Sequence, residues 1–155
     1  MMAILVMVTE RRRILNRIMA MPHDINARRY YRVAYQRFED GAALLEISRP
    51  RAAIYLTGYA VECILKSLLL VSTPDGQRAV VLATFRGAIA HNIDWLRERL
   101  IHRIGRMPVG GNRHVSLVSS WSTDLRYEPG PGAPEDAEAF LTAAQSILTW
   151  ANGRM

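Results

Sequence analysis

The sequence predicts an all-α protein, an antiparallel bundle of four or five main helices joined mostly by short loops. Three observations point there. Residues 52–71 are apolar nearly all the way round and carry only Glu62 and Lys66 as charges. The segments before and after repeat apolar residues at helical spacing. No stretch alternates apolar and polar residues with period two for long, so nothing reads as a half-buried strand.

The first convincing helix spans 26–47. Ala27, Tyr30, Tyr31, Ala34, Tyr35, Phe38, Ala42 and Leu45 recur on its inner side, with arginines and acids between them. Ser48-Arg49-Pro50 ends it, and Pro50 suits the first turn of the next helix, 50–70. A helix that apolar is either a membrane span or the centre of a helical core. Two mid-segment charges, Gly58, Ala60 and charged flanks favour the core. Glu62 precedes Lys66 by four residues, the favourable order for a pair on one helical face.

Ser72-Thr73-Pro74-Asp75-Gly76 reads as a turn. Residues 77–90 are helical with an interruption near Gly87, and either Asn92 or His91 caps a short helix carrying Trp95, Leu96 and Leu100. Residues 103–113, with three glycines and a proline, read as a loop, and 115–121 as a short helix. Glu128-Pro129-Gly130-Pro131-Gly132 is a break before a last amphipathic helix, 133–151.

Composition bounds the function. The chain of 155 residues suits one domain, 21–155, behind an N-terminal extension, 1–20. That extension reads as an extra amphipathic helix, a disordered arm, or a start placed upstream of initiation at Met21. Its apolar run precedes its arginines, the reverse of a secretory signal, and is too short to span a membrane, so the expected location is cytoplasmic and without membrane contact. One cysteine, Cys63, excludes an internal disulfide and a multi-cysteine metal site. Net charge is +6 with a single lysine, a balance that permits nucleic-acid binding without demanding it. No zinc-ligand pattern, P-loop or dinucleotide fingerprint is present, so neither metal nor cofactor is expected.

Several residues recur in a recognisable order: Ala27-Arg28-Arg29-Tyr30-Tyr31, then Ala60-x-Glu62-x-x-Leu65-Lys66, His91-Asn92-Ile93-Asp94-Trp95-Leu96, Trp121 and Arg126-Tyr127. In this order, over roughly 27–150, the chain resembles HEPN-domain proteins, helical domains of bacteria and archaea often encoded beside minimal nucleotidyltransferases. Asn92 stands where an Asp is more usual in that family. The resemblance implies a helical bundle, often a homodimer, with one of two roles. One is a non-catalytic module that partners a separate nucleotidyltransferase or binds nucleotide or RNA. The other is a metal-independent endoribonuclease, toxin-like, using an Arg-x4–6-His motif. A third reading is a structural dimer whose tyrosines (Tyr30, Tyr31, Tyr35) and arginines (Arg28, Arg29, Arg32) serve assembly alone.

The binding module is the expected role. Its candidate ligand residues are Glu62, Lys66, His91, Arg126 and Tyr127, with Lys66 and Arg126 holding phosphates and His91 adding a hydrogen bond. An alternative sets Glu62 in a cleft, orienting Arg126. For a ribonuclease, an arginine steadies the phosphoryl oxygens while a histidine moves protons. Arg86 and His91 are the best such pair, beside Arg17 with His23 and Arg97 with His102. Chance spacing in so arginine-rich a chain yields about 1.5 such pairs, so the motif alone decides nothing.

Overall fold

The structure, a computed structural model, describes residues 21–107 and 109–155, excepting the side chains of 109–112. The alternative readings of residues 1–20 lie outside the described residues. Among the described residues six α-helices pack into a bundle: α1 (Ile25–Glu46), α2 (Pro50–Val71), α3 (Asp75–Ala83), α4 (Ile93–Ile104), α5 (Val109–Val118) and α6 (Pro134–Asn152). Short 3-10 turns, Ala88–His91 and Thr123–Tyr127, precede α4 and follow α5. No strand occurs among the described residues.

Local chemistry fixes the helix ends. Asp24 opens α1, its carboxylate accepting from the backbone N–H groups of Asn26 (3.0 Å) and Ala27 (2.8 Å). Ser48, at φ 59°, turns the chain between α1 and α2, and Pro50 starts α2 where its missing N–H costs nothing. Asn92 caps α4 by accepting from the Trp95 N–H at 2.8 Å. Gly87, at φ 73°, separates α3 from the following 3-10 turn, the interruption expected there.

α2 is the axis of the fold. By length and composition it could cross a membrane, yet 72% of its most apolar window is buried within the protein. α1, α4 and α6 surround it, and α5 packs on α6. Val61, Ile64, Leu65, Leu68, Leu69 and Leu70 are buried with Ile93 and Leu96 of α4 and Ile147 and Leu148 of α6. Close approach depends on small residues. A Cβ at Gly41 would lie 2.1 Å from Thr57 Oγ1, and one at Gly58 would lie 2.0 Å from the Trp121 indole nitrogen. Trp121 covers Gly58 and donates its indole N–H to the Tyr55 carbonyl at 3.1 Å.

Two segments differ from expectation. Residues 103–113, expected as a loop, are largely helical: α4 continues to Ile104 and α5 begins at Val109. α5 also stops at Val118 rather than reaching Trp121. Glycines such as Gly110 and Gly111 disfavour helix by about 1 kcal/mol each. Burial of Val115 and Val118 in the core outweighs that preference.

Candidate functional site

One side of α2 carries a seam of polar and aromatic residues through its apolar surroundings. Arg51, Tyr55, Tyr59, Glu62 and Lys66 follow at steps of four, four, three and four, which stacks them on one helical face. Other elements close over this seam at two levels.

At the inner level Glu62 and Lys66 are both nearly inaccessible, 3% and 4% exposed. Lys66 Nζ donates to Glu62 Oε1 at 2.6 Å. Tyr30 and Phe85 flank the ammonium, with ring centroids 5.8 Å and 5.4 Å from Nζ. The other carboxylate oxygen, Oε2, meets His91 Nδ1 at 3.0 Å. A carboxylate paired with an ammonium only accepts, so His91 Nδ1 carries the proton and donates. In the neutral ring this is the Nδ1–H tautomer, with Nε2 as the acceptor nitrogen, and the ring is half-exposed. Tyr59 stands edge-on to His91 at 6.2 Å and to Trp121 at 4.9 Å. Burial, reinforced by the Tyr55 hydroxyl and the Glu62 charge, pushes the Tyr59 pKa up and keeps the phenol protonated. Burial, then the Glu62 charge, raises the neighbouring Cys63 thiol to about 12.

At the outer level the seam opens into a cleft of about 510 Å³ lined by Arg49, Arg51, Tyr55, Leu125, Arg126 and the 130–131 backbone. The Tyr55 and Tyr59 hydroxyls lie 3.2 Å apart and connect the two levels. Arg126 projects from the second 3-10 turn, its guanidinium 4.8 Å from the centroid of the exposed Tyr127 ring. The Tyr127 and Tyr55 hydroxyls hold its pKa up. Arg51 donates through Nε to the Gly130 carbonyl at 3.0 Å and pairs through Nη1 with Glu128. Among the described residues no carboxylate is in the lining, and Glu128 stands beside it, paired with the lining residue Arg51.

The five expected ligand residues therefore fall into two groups. Glu62, Lys66 and His91 form one hydrogen-bonded cluster. Arg126 and Tyr127 form a stacked pair at the cleft. Glu62 is occupied by Lys66 and His91 and makes no ion pair with Arg126 among the described residues. Arg86 is exposed on the loop ahead of the 3-10 turn and makes no hydrogen bond to His91, whose bonded partner is Glu62. Among the described residues no group of His, Cys, Asp and Glu could hold a metal ion. Arg49, Arg51, Tyr55 and Tyr59 join the arrangement although sequence reasoning did not single them out as ligands. The signal for Arg51, Tyr55 and Tyr59 was the spacing on α2. No family model matches this chain, and neither a curated protein nor a solved structure matches it.

Proposed function

We propose that this chain is a non-catalytic binding module of HEPN type for a phosphate-bearing ligand, a nucleotide or RNA. In this reading it works in the cytoplasm as a homodimer beside a separate nucleotidyltransferase. The observation that carries the ligand class is the outer cleft. Three arginines, Arg49, Arg51 and Arg126, line one volume together with Tyr55, and Glu128, paired with Arg51, is a carboxylate beside it. Guanidinium forks match phosphate oxygens in charge and geometry, and the volume lies in the usual range of small-ligand sites. The family and partner rest on the sequence resemblance alone. Lys66 is buried and bonded to Glu62, away from the cleft lining, so in this reading Arg49 and Arg51 take the phosphate-holding role beside Arg126.

The test is equilibrium binding of a fluorescent nucleotide and a 3′-labelled RNA hexamer, read by anisotropy. Arg49→Ala combined with Arg126→Ala lowers affinity at least about tenfold, since each lost charged contact is worth about 1.5–3 kcal/mol. Unchanged affinity in that double variant, with its melting curve intact, refutes the cleft as the site.

The Glu62–His91 contact favours a second reading, a metal-independent endoribonuclease. A buried carboxylate that holds an imidazole in one tautomer is the arrangement that prepares a general base. RNA cleavage in EDTA that disappears in His91→Ala selects this reading over the binding module.

A further inference from the structure

Glu128 already holds part of the Arg51 guanidinium. It lies just beyond the 3-10 turn that carries Arg126, and its carboxylate pairs with Arg51 Nη1. The following segment is fastened to the same residue. Arg51 Nε donates to the Gly130 carbonyl at 3.0 Å, and the Arg51 backbone N–H donates to the Pro131 carbonyl at 2.8 Å. Gly130 and Gly132 take φ values of 91° and 78°, which lets the 128–132 segment fold tightly back against the start of α2. A Cβ on Gly132 would meet the Arg51 backbone at 3.3 Å.

Resting on the binding role proposed above, we infer that the cleft selects a phosphomonoester dianion, the terminal phosphate of a free nucleotide or of an RNA end, and that this phosphate displaces Glu128 from Arg51. Arg49, Arg51 and Arg126 contribute three positive charges and Glu128 one negative charge, a balance of +2 at the cleft. A phosphomonoester carries a charge of about −1.5 to −2 at neutral pH and offers three terminal oxygens. A phosphodiester carries one charge and offers two. Both ligands must compete with the Glu128 carboxylate for Arg51. The Arg51–Glu128 pair is partly solvated, its side chains 27% and 57% exposed, so it yields to a stronger anion. The dianion displaces it and gains bidentate contacts. The monoanion exchanges one single charge for another and gains little.

The experiment is calorimetric titration of the full chain with 5′-AMP and with 3′,5′-cyclic AMP, and with RNA hexamers bearing a 5′-phosphate or a 5′-hydroxyl. Wild type binds 5′-AMP about tenfold or more tighter than the cyclic diester, the equivalent of one charge-assisted contact. Glu128→Gln removes the competing charge. Affinity rises for both ligands, and the preference for 5′-AMP is kept or widened, because the opposing charge is removed for the dianion as well as for the monoanion. Arg49→Ala, which leaves the Arg51–Glu128 pair in place, weakens 5′-AMP binding more than diester binding. A preference for the 5′-phosphorylated hexamer over 5′-AMP identifies an RNA end as the natural source, and the reverse identifies a free nucleotide; either outcome supports the inference. Equal binding of monoester and diester by wild type, or 5′-AMP affinity unchanged in Glu128→Gln, overturns the inference while the binding role stands. Failure of every probe to bind overturns both.

Discussion

Lys66→Met removes one half of the buried pair beneath the site. The ammonium lies 2.6 Å from Glu62 Oε1, and both side chains are nearly inaccessible, 5% and 4% exposed. At that separation the bare attraction amounts to about 6 kcal/mol with an effective dielectric constant of 20. Desolvation of both charges cancels most of it, so the intact pair contributes little net stability. Loss of one partner is a different matter. Glu62 then stays buried with only the His91 contact, and an uncompensated buried charge of this kind costs about 3–5 kcal/mol. For a chain of this length each kcal/mol lowers Tm by roughly 3 °C, so the expected fall is about 10–15 °C. Urea unfolding followed by circular dichroism gives the free energy directly. The paired change Glu62→Leu with Lys66→Met replaces both charges by apolar groups and recovers most of the loss, to within about 2 kcal/mol of wild type. A Lys66→Met variant within about 1 kcal/mol of wild type refutes the buried-pair argument, and so does a double variant that falls as far as the sum of the two singles.

Three further outcomes follow from the packing. Gly58→Ala drives a methyl group into the Trp121 ring, where a Cβ would sit 2.0 Å from the indole nitrogen. Overpacking of this kind costs about 1–3 kcal/mol, and the Trp121 indole N–H resonance shifts as its bond to the Tyr55 carbonyl breaks; an unshifted resonance contradicts the packing. Cys63 resists thiol reagents at pH 8 until the protein unfolds, because burial raises its pKa from 9.0 to about 12. The unfolded chain releases that proton first, so this thiol's contribution to stability declines as pH rises from 9.0 towards about 12, and rapid labelling of the folded protein at pH 8 refutes it. Tyr31→Phe removes the 3.1 Å hydrogen bond from the phenol to Asn152 Oδ1 that ties α1 to the end of α6. It costs about 1 kcal/mol in chemical unfolding, and a variant as stable as wild type shows that the bond contributes nothing.

The helices were legible in the sequence wherever burial and local chemistry agree. The period of α1, the unbroken apolarity of α2, the Pro-Gly break after Glu128 and the amphipathic pattern of α6 each point to one answer. The region between α4 and α5 was not legible. Its glycines signal a loop, and the burial of Val115 and Val118 that overrides them is a tertiary effect invisible to local propensity. The site was legible in part. Glu62 and Lys66 share a helical face by spacing alone, so their contact could be expected. The approach of His91 to Glu62 spans 29 residues and depends on how the 3-10 turn docks against α2. Arg49 and Arg51 read as residues flanking a helix start, because a sequence does not show that the 128–132 segment folds back onto Arg51. Extending the Tyr55, Tyr59, Glu62 and Lys66 spacing by one further turn would have reached Arg51.

The central claim is that the outer cleft receives a phosphate. Nuclear magnetic resonance titration with 5′-AMP, following backbone amides and arginine Nε–H groups, tests it most directly. The account predicts saturable shifts at Arg49, Arg51, Tyr55, Arg126 and Gly130, with Lys66 and the α1 amides unmoved. Saturable shifts elsewhere, or none at these residues at millimolar 5′-AMP, contradict it.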